Sequence, residues 1–70
     1  MLTTNIGYHT IITDLEYNVQ DGVMEAVTGI WWRGEFQYVR WGDPRFINQQ
    51  HQEQVDYITW LEGITNVEVQ

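Results

Sequence analysis

Residues 11–19 alternate with a period of two, apolar or threonine at every odd position. Ile11, Thr13, Leu15 and Tyr17 fall on one side of an extended chain, with Val19 next in line. Ile12, Asp14, Glu16 and Asn18 fall on the other. A period of two is the signature of a half-buried strand. Asp21-Gly22 follows, a dipeptide suited to a two-residue type I′ hairpin turn, in which both central residues take positive φ. The second strand then runs from Val23 to Trp32. Such a turn pairs Gln20 with Val23. It sets Tyr17 against Ala26, Leu15 against Thr28, Thr13 against Ile30 and Ile11 against Trp32. Nearly all of these are apolar or threonine, so turn and register support each other. A one-residue slip would put the two apolar rows on opposite faces. This is the expected core face, and Trp32 belongs to it.

Trp31 must point the other way. On its face Asn18 pairs with Glu25, Glu16 with Val27, Asp14 with Gly29 and Ile12 with Trp31. That face is polar near the turn and apolar away from it. Two outcomes are open for the patch of Ile12, Val27 and Trp31. Either the N-terminal arm (residues 1–10) or the C-terminal tail folds over it, or a partner protein, including another copy of the chain, covers it.

Gly34 marks a second turn, and Phe36 to Trp41 is a third strand. With Arg33-Gly34 alone as the loop, Glu35, Gln37, Val39 and Trp41 share the face of Trp32. With Glu35 also in the loop, Phe36 and Tyr38 share it, and Val39 and Trp41 join Trp31. The second arrangement puts two aromatics in the core and is preferred. Gly42-Asp43-Pro44 breaks the sheet. Asp before Pro suits a turn or a helix start, and Asn48 is a second candidate cap. A helix is expected over 48–62, stopping at Gly63. Val55, Ile58 and Leu61 form its packing stripe, flanked by Tyr57 and Trp60. Its first half, "NQQHQEQ", is polar all round and reads as a solvated helix start, with a recognition surface as the other reading. The tail, 63–70, alternates like a short edge strand. The expected fold is α+β: a three-stranded antiparallel β-meander over 11–41 packed on one C-terminal α-helix, in a single domain spanning 1–70.

Composition sharpens this picture. With 70 residues and no cysteine, the chain has a small core and no disulfide or thiolate metal site. Aromatic mass and association are the remaining sources of stability, and four Trp, four Tyr and two Phe supply the former. No apolar run reaches the roughly 18 residues of a membrane span, and no basic-then-apolar leader opens the chain. Three Arg, no Lys and a formal charge of −7 disfavour binding to a phosphate backbone. The charge reads as solubility or, more sharply, as mimicry of nucleic-acid charge, although the acids are interspersed with other residues.

Candidate chemistry is sparse. His9 and His51 have no metal-motif spacing and are expected to be lone surface histidines. Serine and cysteine are absent, and the threonines lie in strands with no adjacent base. Asp14 and Glu16 share a face, but a carboxylate pair for glycoside hydrolysis needs a cleft, for which a small sheet on one helix has little room. No enzymatic activity, cofactor or metal is expected. Interaction is the better candidate, because hot spots favour Trp, Tyr and Arg. Trp31, Arg33, Arg40 and Trp41 are expected to cluster at one end of the sheet. Each Arg either serves an interface or pairs with a carboxylate or an indole of its own chain. The candidate protein-binding residues are Ile12, Val27, Trp31, Arg33, Val39, Arg40 and Trp41.

"NIGY" at 5–8, "TDLEYNVQDGV" at 13–23 and "WWR" at 31–33 resemble a group of small uncharacterised proteins of tailed bacteriophages, including those infecting cyanobacteria. In that pattern a helix with a Trp lies near the end, and Trp60 would be its counterpart. The match covers the first 33 residues or so well and the rest loosely, and "TGIWWRGEFQYVRW" is richer in tryptophan than the pattern. The resemblance brings no catalytic residues. It implies a phage origin, and with it a virion part or an early host-takeover protein. The expected function is a non-enzymatic phage protein that binds another protein, as a capsid or tail component, in the virion or the infected host cytoplasm. The partner would be a phage structural protein or another copy of the chain. The alternative is an acidic inhibitor of a host enzyme (RNA polymerase, nuclease or CRISPR effector), which requires Asp14, Glu16 and Glu25 to be contiguous and exposed.

Overall fold

The computed structural model describes Met1 to Val69, with side chains as far as Ile64. Four antiparallel strands form a meander in the order β1-β2-β3-β4: Leu2–Ile6, His9–Asn18, Val23–Trp32 and Glu35–Gly42. A short 3-10 turn, Pro44–Phe46, leads into a single helix α1, Ile47–Val69. The class is α+β, as expected, with one strand more. The N-terminal arm is not a loose cover but edge strand β1, paired with β2 from Leu2↔Thr13 to Ile6↔His9. "LTTNI" is short and carries little apolar pattern, so periodicity does not mark it as a strand.

The hairpin register is also corrected. Asn18 pairs with Val23, Tyr17 with Met24, Leu15 with Ala26, Thr13 with Thr28 and Ile11 with Ile30. The loop is therefore the four residues Val19 to Gly22, not Asp21-Gly22 alone. Among the turn residues only Gly22 has positive φ, at 72°, so a type I′ turn does not form. Asn18 is the reason: its side-chain oxygen accepts hydrogen bonds from the amides of Gln20 (3.0 Å) and Asp21 (3.2 Å). Gly22 N–H also donates to the Asn18 carbonyl at 2.8 Å. An Asx side chain that binds the backbone just ahead closes its own turn. The displacement is two residues, so each side chain keeps its face.

The type I′ turn occurs instead at Arg33-Gly34, where φ is +51° and +82° and Trp32 pairs with Glu35. A bulge then follows: Trp31 pairs with Phe36, but Ile30 pairs with Tyr38. The extra residue restores the phase that a longer loop would have produced. Tyr38 faces the helix, and Val39 and Trp41 face away, as preferred. Phe36, on the turn side of the bulge, lies on the face of Trp31, contrary to expectation.

The helix covers one face of the sheet. Ile11, Ile30 and Ile58 are fully buried, with Ile6, Val55 and Leu61 packed against them, so the Val55–Ile58–Leu61 stripe forms as expected. Toward the helix N-terminus the contact is polar. His51 lies between two threonines, Nδ1 2.7 Å from Thr13 Oγ1 and Nε2 2.8 Å from Thr4 Oγ1. Thr13 Oγ1 is 2.7 Å from Thr28 Oγ1, which accepts from Gln50 Nε2 at 3.0 Å. Gln50 and His51 are buried, which corrects both the solvated helix start and the surface histidine. His9 is largely buried as well, with Nδ1 2.6 Å from Glu62 Oε1. The helical repeat places Gln50 and His51 on the same sheet-facing side as Val55 and Ile58 over rather more than two turns, a placement that a purely apolar period does not reveal. Among the described residues no buried side-chain polar atom lacks a partner.

The helix starts where Asp43 caps the 3-10 turn: its carboxylate accepts from Arg45 N–H at 2.9 Å, with Pro44 in the first position. The Arg45 guanidinium holds the Asp43 carboxyl below the usual range. Asn48 lies inside the helix. Gly63 does not stop it, because its φ is not left-handed and helix continues to Val69. The expected tail strand is thus replaced by helix over 63–69, while Gln70 lies outside the described residues. No described helix is long and apolar enough to cross a membrane.

Two outcomes follow from the helix. A Cβ added at Gly63 meets nothing within 4 Å, so Gly63→Ala should raise stability by about 0.5–1 kcal/mol in urea unfolding, because glycine loses more backbone entropy than alanine. Burial holds the His51 pKa below its ordinary 6.5. The unfolded chain therefore takes up this proton first as the pH falls. The contribution of neutral His51 is complete above about pH 6.5 and declines below it until the folded-state pKa is passed. The urea midpoint should drop from about pH 7.5 to 5.5, and His51→Gln should remove that part of the slope.

Candidate protein-docking face

The face of the sheet opposite α1 has no helix or strand over it among the described residues. Ile12, Val27, Trp31, Val39 and Trp41 lie on it, joined by Phe36. Trp41, Val39 and Phe36 are 43%, 45% and 56% exposed. β1 lies beside β2 rather than over the patch, with Met1 reaching its edge, and the described part of α1 occupies the other face. Other exposed apolar side chains among the described residues include Tyr57 and Trp60 on α1, with ring centroids 6.0 Å apart, and Tyr8 and Trp32 beside Arg33. The hairpin tip is also apolar on the helix side, where Leu15, Tyr17 and Met24 lie beyond the start of α1.

Trp31 itself is half-buried, and Gly29 is the reason. The indole folds back over the Gly29 backbone, and a Cβ there would sit 2.6 Å from Trp31 Cη2. A glycine inside a strand permits such a close approach. Phe36 meets Trp31 edge to face, with centroids 5.7 Å apart and an interplanar angle of 70°. Together they shape a groove of about 310 Å³, floored by Gly29, Val27 and Trp31 and walled by Phe36 and Val39. Asp14 and Glu16 form its acidic rim.

The acids continue from that rim toward the hairpin turn. Glu16 stands directly opposite Glu25 across β2 and β3, and Asp14 is opposite Val27. The Glu25 carboxyl is pushed up, chiefly by a hydrogen bond with Asp21 and then by its partial burial, while Asn18 opposes the shift. Asp14 and Glu16 are exposed and Glu25 is half-exposed. Sequence separation hid this cluster, because four acids interspersed along the chain converge only when the strands pair.

The two arginines named as binding residues do not join the face. Arg33 sits at the β3–β4 turn with its guanidinium 4.5 Å from the Tyr8 ring centroid and 4.9 Å from that of Trp32. Arg40 is on the helix side, 2.9 Å from Glu53. Arg45 pairs with Asp43 at 2.7 Å. Trp31 and Trp41 also stand at different levels of the sheet, opposite Phe36 and Val27, so the expected cluster of Trp31, Arg33, Arg40 and Trp41 does not form. Phe36 was missed because the bulge that turns it is not legible in the sequence. Gly29 carried a usable signal, since it interrupts an apolar strand beside two tryptophans.

The described residues include no grouping of three His, Cys, Asp or Glu side chains that would hold a metal ion. Comparison with known protein families, curated proteins and solved structures finds no match to this chain.

The contact between Trp31 and Gly29 is testable. Gly29→Ala should lift the indole off the strand, shifting tryptophan emission to the red and increasing quenching by iodide. The same spectrum in Gly29→Ala and wild type would mean that the close approach is absent.

Proposed function

We propose that this chain is a small non-enzymatic phage protein that binds another protein through the open face of its sheet, as a capsid or tail component of the virion. The observation that carries the reading is the apolar face itself. Ile12, Val27, Trp31, Phe36, Val39 and Trp41 gather on the side that the single helix does not cover. Contiguous exposed apolar area on a small protein marks an interaction surface. A chain with so small a core gains stability by docking, since a partner that binds only the folded form shifts the folding equilibrium. The phage assignment rests on the resemblance of residues 5–8, 13–23 and 31–33.

A second reading is an acidic inhibitor of a host enzyme, and one observation favours it. Asp14, Glu16 and Glu25 are contiguous on the open face, which is what occupation of a basic groove would require.

The chain has no cysteine, so a single photoreactive label can be placed at Val39→Cys on the open face or at Gln52→Cys on the outer face of α1. In infected cells, Val39→Cys should crosslink to one predominant protein and Gln52→Cys should not. A product that co-purifies with virions supports the structural role, and one on a soluble host enzyme supports the inhibitor. Equal labelling from both positions, or none from Val39→Cys, would overturn docking through this face.

A further inference from the structure

We propose that the partner segment seated in the groove over Gly29 is basic and apolar in alternation, with a lysine or arginine stem lying on Trp31 and Val39 and its cationic head between Asp14 and Glu16. This rests on the docking reading above and names the chemistry of the partner. The groove has an apolar floor and an acidic rim at one end. Lys and Arg combine both characters, an alkyl stem that packs on apolar surface and a charged head that seeks carboxylates. The Trp31 indole adds the attraction of an aromatic face for a cation.

The chain does not neutralise this rim with its own side chains. It has no lysine, and its three arginines are engaged at Tyr8 and Trp32, at Glu53 and at Asp43. The cation near the rim among the described residues is the Met1 ammonium, 3.9 Å from Asp14 in an exposed pair of little strength. Glu16 opposite Glu25 is a like-charge cross-strand pair, an arrangement that costs sheet stability. An arriving cation relieves that repulsion, so the charge that burdens the free sheet favours a basic ligand. A second copy of the chain would bring the same acidic rim and no free arginine, which argues for a different protein.

The test is isothermal titration of the full chain with a short synthetic peptide of alternating lysine and leucine, and with its glutamate–leucine counterpart. The lysine peptide should bind and the glutamate peptide should not. Asp14→Asn with Glu16→Gln should weaken binding about tenfold. Glu35→Gln with Asp56→Asn, which removes the same charge away from the groove, should change it less than about twofold. Binding should fade at about 1 M salt, where screening acts beyond about 3 Å. If both charge pairs weaken binding equally, only net charge matters and the proposal falls. If Phe36→Ala weakens binding but neutralising the rim does not, the proposal falls and the docking face stands. If neither change alters binding, the docking face falls too.

Discussion

The hydrogen-bonded chain from Thr4 through His51, Thr13 and Thr28 to Gln50 sets how the helix lies on the sheet, and the rest of the molecule depends on that placement. Three isoleucines supply the fully buried large apolar side chains, and apolar contact alone has little directional preference. The polar chain does have direction. It ties the first turns of α1 to β1, β2 and β3 at once, and a break would leave a buried hydroxyl or imidazole unpaired at a cost of about 1–3 kcal/mol. Sliding the helix along the sheet would break several such bonds together. Neutral His51 suits the arrangement, accepting from one threonine and donating to the other.

With the helix held there, the exposed surfaces follow. It begins beside Ala26 and runs toward His9, where Glu62 meets the imidazole. The hairpin beyond Ala26 is therefore bare on the helix side, and the whole sheet is bare on the other. A chain with one helix and four strands covers one sheet face at most. The apolar residues on the second face are surplus to the fold, and the four carboxylates beside them burden it. Features that violate local rules of stability concentrate at functional sites. The groove over Gly29 has an uncovered aromatic wall and an acidic rim met by the weak, exposed Met1–Asp14 pair, in a protein whose arginines are all engaged elsewhere.

Much of the fold was legible. Alternation gave the faces of β2 and β3, and these survived a two-residue error in register because parity is unchanged. Tyr38, Val39 and Trp41 were assigned to their correct faces, and the Val55–Ile58–Leu61 stripe marked the helix. Several of the differences arise where a side chain bonds to something distant or to its own backbone, or where the backbone itself bulges. Asn18 took over the turn that Asp21-Gly22 appeared to own. The bulge after Phe36 turned one aromatic outward. His51 and Gln50 were read as surface residues because their threonine partners are 22 to 47 positions away.

By itself, then, the sequence determined the class of fold, the strand faces, the opposite sides taken by Trp31 and Trp32, and the acidic, disulfide-free character of the chain, but not that Trp32, expected in the core, is 40% exposed while Trp31 is half-buried. The features it determined follow from periodicity and composition, which are local. Only the tertiary structure decided that β1 joins the sheet, that the polar half of α1 is buried, that the arginines turn away from the open face, and that scattered acids meet at the rim of an aromatic groove. Those outcomes rest on pairings between residues far apart in the chain. Such pairings exist only once the sheet has closed and the helix has docked.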